Sequence, residues 1–243
     1  MSRTATLGTI VLVLATLACS VSLPSVTGLT GSGNVVSLEQ DVSDFDSLEV
    51  SQAFKVTITQ GDTSSVVIRI DDNLQPHLRV EQVGQKLSIG LDADIGFNFG
   101  NTTLEADITM PSLAALEASG ACEVTLVDFV IDGDVTLEAS GASAIGGNLQ
   151  AGGVDMTLSG ASSSSLTGSA DGLSVDASGA SSADLGAFPV ADVVVVVSGA
   201  SSATVNASGT LDADASGASN VTYLGSPTLR NVNTSGASSV EAE

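Results

Sequence analysis

VDMTLSGASSSSLTGSADGLSVDASGA, residues 154–180, holds two copies of a phrase that recurs through the second half of the chain. Ser-Gly-Ala begins at Ser119, Ser140, Ser159, Ser178, Ser198, Ser216 and Ser235, at spacings of 21, 19, 19, 20, 18 and 19 residues. A period this regular is the mark of a solenoid, in which each repeat is one coil that buries its apolar face only against its neighbours.

The residues around the motif say how a coil is built. One before each Ser stand Ala118, Ala139, Leu158, Ala177, Val197, Ala215 and Thr234. Three before stand Leu116, Leu137, Met156, Val175, Val195, Ala213 and Val232. The position between them is mostly polar: Glu117, Glu138, Thr157, Asp176, Val196, Asp214 and Asn233. This alternation is that of a half-buried strand. The Gly supplies a bend that a Cβ would hinder. After it a second strand turns Val124 and Leu126, Ala183 and Leu185, or Ala203 and Val205 inward. Gly146-Gly147-Asn148-Leu149, Asp171-Gly172 and Asn206-Ala207-Ser208-Gly209 mark a third side. Three short sides per turn predict an all-β fold, a three-sided parallel β-solenoid. At about 4.8 Å per coil, seven coils make a rod of roughly 30–35 Å. A disordered Gly/Ser linker is excluded, because the apolar residues recur in phase with the motif.

Residues 34–91 show period two instead. Val56-Thr57-Ile58-Thr59, Val66 to Ile70 and Leu87-Ser88-Ile89 alternate, with turn signals at Gly61-Asp62 and Gly84-Gln85. Paired strands are expected here. Lys55, Arg69, Arg79 and Lys86 are expected on solvated strand faces. Phe97 and Phe99 follow the acidic Asp92 and Asp94, as either a core plug or a binding tip.

The N-terminus reads as an export signal. Arg3 precedes the apolar run Leu7 to Ala18, too short to span a bilayer and of the length of a signal h-region. Thr16-Leu17-Ala18-Cys19 resembles a bacterial lipobox, although Thr16 replaces the usual Leu. Thr16-x-Ala18 also suits an ordinary signal peptidase. The expected division is a signal peptide over 1–18, a lipid-anchor Cys19 with a flexible tether over 19–30, and a head over 31–243. The head comprises a strand-rich part, 31–112, and the Ser-Gly-Ala repeats, 113–243. Cys122 then stands alone, in the place of a repeat Ser, as a small buried residue rather than a reactive thiol.

Composition narrows function. The formal net charge is −22, with six Lys and Arg. That excludes nucleic acid and electrostatic docking on anionic lipid, both of which need a basic surface. There is no Trp and one Tyr, against 26 Gly, which suits a thin layered core better than a globule with aromatic anchors. His77, the only His, lies beside Pro76 in a polar stretch and has no evident partner for metal or catalysis. Asp132/Asp134 and Asp212/Asp214 are carboxylate pairs at i, i+2, which in a strand merely share a face. No catalytic residue, metal ligand or cofactor is expected.

Gly31-Ser32-Gly33-Asn34-Val35-Val36, Phe45-Asp46-Ser47-Leu48-Glu49-Val50, Val56-Thr57-Ile58-Thr59-Gln60-Gly61-Asp62, Asp71-Asp72-Asn73-Leu74 and Lys86-Leu87-Ser88-Ile89 precede the Ser-Gly-Ala coils. With them the chain resembles the auto-transporter adhesin head domain family, also called the head GIN domain, over nearly all of residues 31–243. The resemblance implies a right-handed, single-stranded β-helix in a bacterial envelope protein, and carries no catalytic residues with it. A translocating barrel would need a C-terminal series of amphipathic strands of about ten residues, and none is legible. The reading is therefore a non-catalytic, adhesin-like binding or scaffold lipoprotein. It is exported to the cell membrane or outer membrane, facing the exterior or periplasm. The membrane is reached through the lipid anchor, and envelope glycans or surface proteins are the partners. The alternatives are a polysaccharide-processing β-helix enzyme and a cation-binding structural solenoid.

Overall fold

The computed structural model describes residues 28–92, 96–98 and 100–243. The expected signal segment, Cys19 and most of the expected tether, with Asp94 and Phe99, lie outside the described residues. Apart from one turn of 3-10 helix at Gln75–His77, the regular structure is strand: β1 (Leu29–Thr30), β2 (Val35–Gln40), β3 (Ser47–Val50), β4 (Lys55–Gln60), β5 (Ser65–Asp71), β6 (Leu78–Val83), β7 (Lys86–Leu91), β8 (Phe97–Asn98), β9 (Leu104–Met110), β10 (Ala115–Ala118), β11 (Glu123–Val130), β12 (Asp134–Ala139), β13 (Ala144–Leu158), β14 (Ser163–Ala177), β15 (Ser182–Val197), β16 (Ser202–Ala215), β17 (Asn220–Gly225), β18 (Thr228–Thr234) and β19 (Ser239–Ala242). The long strands β13 to β16 bend around most of a coil each.

The coils stack in parallel register, one repeat apart. On the side that approaches the Ser-Gly-Ala corner, Leu137 lies beside Met156, Met156 beside Val175, Val175 beside Val195, and Val195 beside Ala213. On the departure side, Val124 lies beside Ile145, then Ser164, Ala183, Ala203 and Val221. A shorter side between them carries Phe129, Leu149, Phe188 and Val190, all buried. The three-sided parallel solenoid is as the repeats predict.

The corner explains the Ser-Gly-Ala. Gly141, Gly160 and Gly179 have φ of 72°, 76° and 79°, in the left-handed region that L side chains avoid. A Cβ on Gly160 would sit 2.6 Å from the Gly141 carbonyl oxygen of the coil below. That carbonyl instead accepts a 2.7 Å hydrogen bond from the Ala161 N–H. The residue after the Ala turns inward. Ser143, Ser162, Ser181, Ser201 and Ser219 are buried in a column. Ser162 Oγ donates within its own corner to the Ser159 carbonyl (2.8 Å) and lies 3.0 Å from the Ala139 carbonyl one coil below. The column satisfies the buried hydroxyls and ties coil to coil.

The N-terminal part departs from expectation. Its strands are not all hairpins, for β3 and β4 form a coil of the solenoid: Leu48 lies beside Leu116, and Val56 beside Val124. Its corner is Ser51-Gln52-Ala53-Phe54, where Gln52 and Ala53 take φ of 59° and 62° without glycine. Strands β7 and β9 form a further coil on the other side of that one. Coil order along the rod thus differs from chain order: residues 47–60 lie between 86–110 and 115–130. Among the described residues the seven Ser-Gly-Ala coils stack as predicted, and the coils of β3/β4 and β7/β9 extend the approach and departure stacks to nine strands each. Gly84-Gln85 does join a hairpin, with Val83 opposite Lys86. Gly61-Asp62 does not: β4 pairs in parallel with β9, and β5 runs antiparallel to β9 and β2. The antiparallel β2, β5 and β6 cover this end of the rod. The other end leaves β18 exposed along its length.

Candidate functional site

Because each coil repeats the last, every outward position becomes a row along the rod, and the character of a side is the sum of its rows. The two main sides differ. Outward positions of the departure side in β14 to β17 are Ser163, Ser165, Thr167, Ser182, Asp184, Ser202, Thr204, Asn206, Asn220 and Thr222. Neighbours in these rows bond to each other, as Ser202 Oγ does to Ser182 Oγ (3.3 Å) and Asn148 Nδ2 to Thr167 Oγ1 (3.2 Å).

The approach side carries carboxylates. In one row Glu49, Glu117, Glu138, Thr157, Asp176, Val196, Asp214 and Asn233 follow each other in register. In the next, Thr136, Asp155, Ser174, Val194 and Asp212 do. Like charges one coil apart repel, and at the N-terminal end the chain answers with cations. Lys86 Nζ sits 2.9 Å from both Glu49 and Glu117. That hydrogen bond, more than the attendant charge, holds the Glu49 carboxyl below its usual range, against the opposing effect of burial. At the far end Arg230 bonds the Asp212 carboxylate, and this pairing, with help from Asn231, lowers Asp212 likewise. Asp192 is lowered chiefly by the Thr210 hydroxyl, 2.6 Å away. Between these ends Glu138, Asp155, Asp176 and Asp214 have no cationic partner among the described residues.

All five Lys and Arg among the described residues are ion-paired. Besides Lys86 and Arg230, Lys55 pairs with Glu123 (3.8 Å), Arg69 with Glu105 (2.9 Å) and Asp107, and Arg79 with Asp92 (2.6 Å). Lys55, Arg69, Arg79 and Lys86 lie on strand faces, as expected; Lys55, Lys86 and Arg230 bridge coils, whereas Arg69 and Arg79 tie the antiparallel β5 and β6 to β9 and to the end of β7. His77 is half-buried and has a neighbour the sequence did not show: Nδ1 is 3.4 Å from Asp92, and the ring meets Phe97 edge-on at 6.2 Å. Phe97 itself packs against the core. Cys122 is 1% exposed at the foot of the serine column. Its thiol donates to the Ser119 carbonyl (3.1 Å), and burial pushes its pKa up, as suits a small core residue and not a nucleophile. Asp212 and Asp214 share one outward face of β16. No group of three or more His, Cys, Asp or Glu among the described residues is arranged to hold a metal ion.

A second cluster, not foreseen as a unit, joins two of the quoted motifs. Asp71 is fully buried. Its carboxylate accepts the N–H of Gly33 (2.7 Å) and of Thr103 (2.8 Å). Asn73 accepts the Ser32 N–H (2.9 Å) and donates to the Thr30 carbonyl (2.8 Å). Ser32 Oγ donates to Asp72 (2.5 Å). Gly31 passes so close that a Cβ would lie 2.2 Å from Asp71 Oδ2. Gly-Ser-Gly and Asp-Asp-Asn, forty residues apart, are two halves of a clasp. It pins the chain that leads in from the N-terminal side to the head.

Comparison with known proteins agrees with this architecture. The sequence profile of the family described as "Putative auto-transporter adhesin, head GIN domain" matches residues 44–227. No curated protein matches the sequence. Among solved structures, one described as a putative adhesin from Bacteroides fragilis has 19% identity and a TM-score of 0.82, covering 89% of this chain and 100% of that one. Another so described, from Parabacteroides merdae, has 17% identity and a TM-score of 0.69, covering 88% and 98%. One described as a putative lipid binding protein, from Parabacteroides distasonis, has 17% identity and a TM-score of 0.68, covering 88% and 99%. At these identities the likeness is one of fold.

Proposed function

The chain belongs to the auto-transporter adhesin head GIN domain family, and from that premise we propose that it is an exported, adhesin-like binding or scaffold module without catalytic function. The observation that carries the reading is the rod itself. Outward residues recur in register over nine coils, so one contact made at a single coil can be repeated along the face. Extended partners such as envelope glycans or surface proteins suit such a surface. The carboxylates support the same reading, since they stand in rows along a face and do not oppose each other across a cleft, as hydrolysis of a glycoside would require. Surface and family together support this function, because a fold alone does not settle one.

Cys19, following the apolar run Leu7 to Ala18, is proposed as the lipidated mature N-terminus. The clasp at Asp71 is then where the tether meets the head. Mass spectrometry of the mature N-terminus, from membrane and soluble fractions of an expressing bacterium, tests the anchor. A diacylglyceryl Cys19 in the membrane fraction is expected, and an unmodified N-terminus in the medium would refute it. Binding of the labelled, purified protein to whole cells and to isolated cell-wall polymer tests the adhesive role, which fails if neither retains it.

A further inference from the structure

The outward rows of the approach side break their polar pattern at one coil. Val194 and Val196 are 47% and 40% exposed, on the coil between Ser174/Asp176 and Asp212/Asp214. Single exposed valines are ordinary, but these two lie on one face of one strand and border two adjoining depressions. The larger, of about 440 Å³, runs across the coils from Asp134 to Arg230. It exists because Gly153 and Gly172 stand in register between Asp134 and Asp192 and put no side chain into the row. The smaller, of about 320 Å³, lies over Val194, Val196, Asp212 and Asp214. Together they form a groove along the rod with an apolar wall and acidic margins. None of its lining residues is aromatic, so it lacks the platform on which sugar rings stack.

We propose that this groove docks an extended basic segment of a partner protein, in which Lys or Arg alternates with apolar residues. The charge is complementary. Among the described residues Asp134, Asp155 and Asp214 have no cationic partner of their own, and Arg230, already bound to Asp212, is the only cation lining the groove. The length fits as well. From β12 to β18 the groove crosses five coil steps of about 4.8 Å, which an extended chain covers in roughly seven residues. Apolar side chains of such a segment would cover Val194 and Val196, while its cations reach the carboxylates. The proposal rests on the binding-module reading and names its partner class.

The test uses the purified protein and three capped seven-residue peptides, Lys/Val, Lys/Ser and Glu/Val, each alternating. Kd is measured by fluorescence anisotropy at 0.15 M salt, with circular dichroism to confirm that every variant is folded. Lys/Val should bind and Glu/Val should not. Lys/Ser should bind about fivefold more weakly than Lys/Val, from the loss of apolar contact. Val194→Ser with Val196→Ser should cost Lys/Val about the same factor. Asp155→Asn with Asp214→Asn should cost roughly three- to tenfold. Asp184→Asn, on the departure side, should change little. The proposal is overturned if no peptide binds, if Lys/Ser binds as tightly as Lys/Val, or if Asp184→Asn costs as much as the paired groove variant. Adhesion of the protein to cells that survives the groove substitutions unchanged would overturn the groove alone. Peptide binding without adhesion would leave the groove and remove the adhesin reading.

Discussion

Ser162 and Ser164 are two residues apart on the same coil, and both are buried, at 1% and 3% exposure. They are nevertheless expected to respond to alanine with opposite sign. Ser162 belongs to the serine column, where its hydroxyl lies within 2.8 Å and 3.0 Å of the Ser159 and Ala139 carbonyls and 3.4 Å from Ser181 Oγ. Ser162→Ala removes a buried hydroxyl that is bonded and takes from the Ser159 carbonyl its hydroxyl donor, while the Ala139 carbonyl keeps the Ser159 N–H (2.9 Å). A net loss of about 1–2 kcal/mol is expected. Ser164 occupies the next inward row, between Ile145 and Ala183, and its hydroxyl has no partner among the described residues. An unpaired buried hydroxyl costs about 1–3 kcal/mol. Ser164→Ala removes that cost, and Ala183 and Ala203 in the same row show that a methyl suits the space. A gain of about 1 kcal/mol is expected. Urea unfolding followed by far-ultraviolet circular dichroism, which needs no Trp, reads both. The midpoints should move in opposite directions with an unchanged denaturant dependence. A loss for Ser164→Ala equal to that of Ser162→Ala would refute the reasoning, because it would mean that the Ser164 hydroxyl is bonded after all.

Gly179→Ala should be strongly destabilising, costing about 3 kcal/mol or more. It forces a left-handed residue and drives a Cβ to 2.5 Å from the Gly160 carbonyl; a melting temperature within a degree or two of the parent would contradict the corner geometry. Cys122→Ser should stay within about 1 kcal/mol, since serine occupies that place in every later corner, and the native thiol should resist a disulfide reagent until urea exposes it. Arg230→Gln should let the Asp212 carboxyl rise toward its usual range, measured by carboxyl-carbon NMR against pH. The sign follows from the lowered native value: what the Arg230 pairing contributes is present above the unfolded-state pKa and is lost as pH falls through the native one. Asp212 titrating at the same pH in both proteins would show that Arg230 does not hold it.

The C-terminal coils were legible because their corner demands a glycine and a small neighbour, and so stamps the same letters on every turn. The coil at residues 47–60 turns the same corner without them. Gln52 and Ala53 accept the left-handed backbone that glycine takes elsewhere, so the signature is missing although Leu48/Val50 and Val56/Ile58 alternate just as Leu116/Ala118 and Val124/Leu126 do. Its place in the stack was hidden too, because residues 61–114 intervene before its neighbour β10. The ion pairs were illegible for a related reason. Lys86 meets Glu117, and Lys55 meets Glu123, through a register that only the stacked coils define. By contrast, Val196 is visible in the sequence as the one apolar residue of an otherwise polar row, and it forms part of the groove's apolar wall.

The corner has a consequence for how such proteins change length. Between Ser140 and Ser216 each junction is the same glycine carbonyl accepting the same alanine N–H, so a coil of about 19 residues can be copied or deleted there without altering what its neighbours see. The rod would grow or shrink by about 4.8 Å while both ends stay as they were. The N-terminal end permits nothing of the kind, since residues 47–60 are held between two later segments. Duplication within a lineage should therefore be tolerated on one side of residue 119 and purged on the other, making rod length an evolvable quantity at fixed ends.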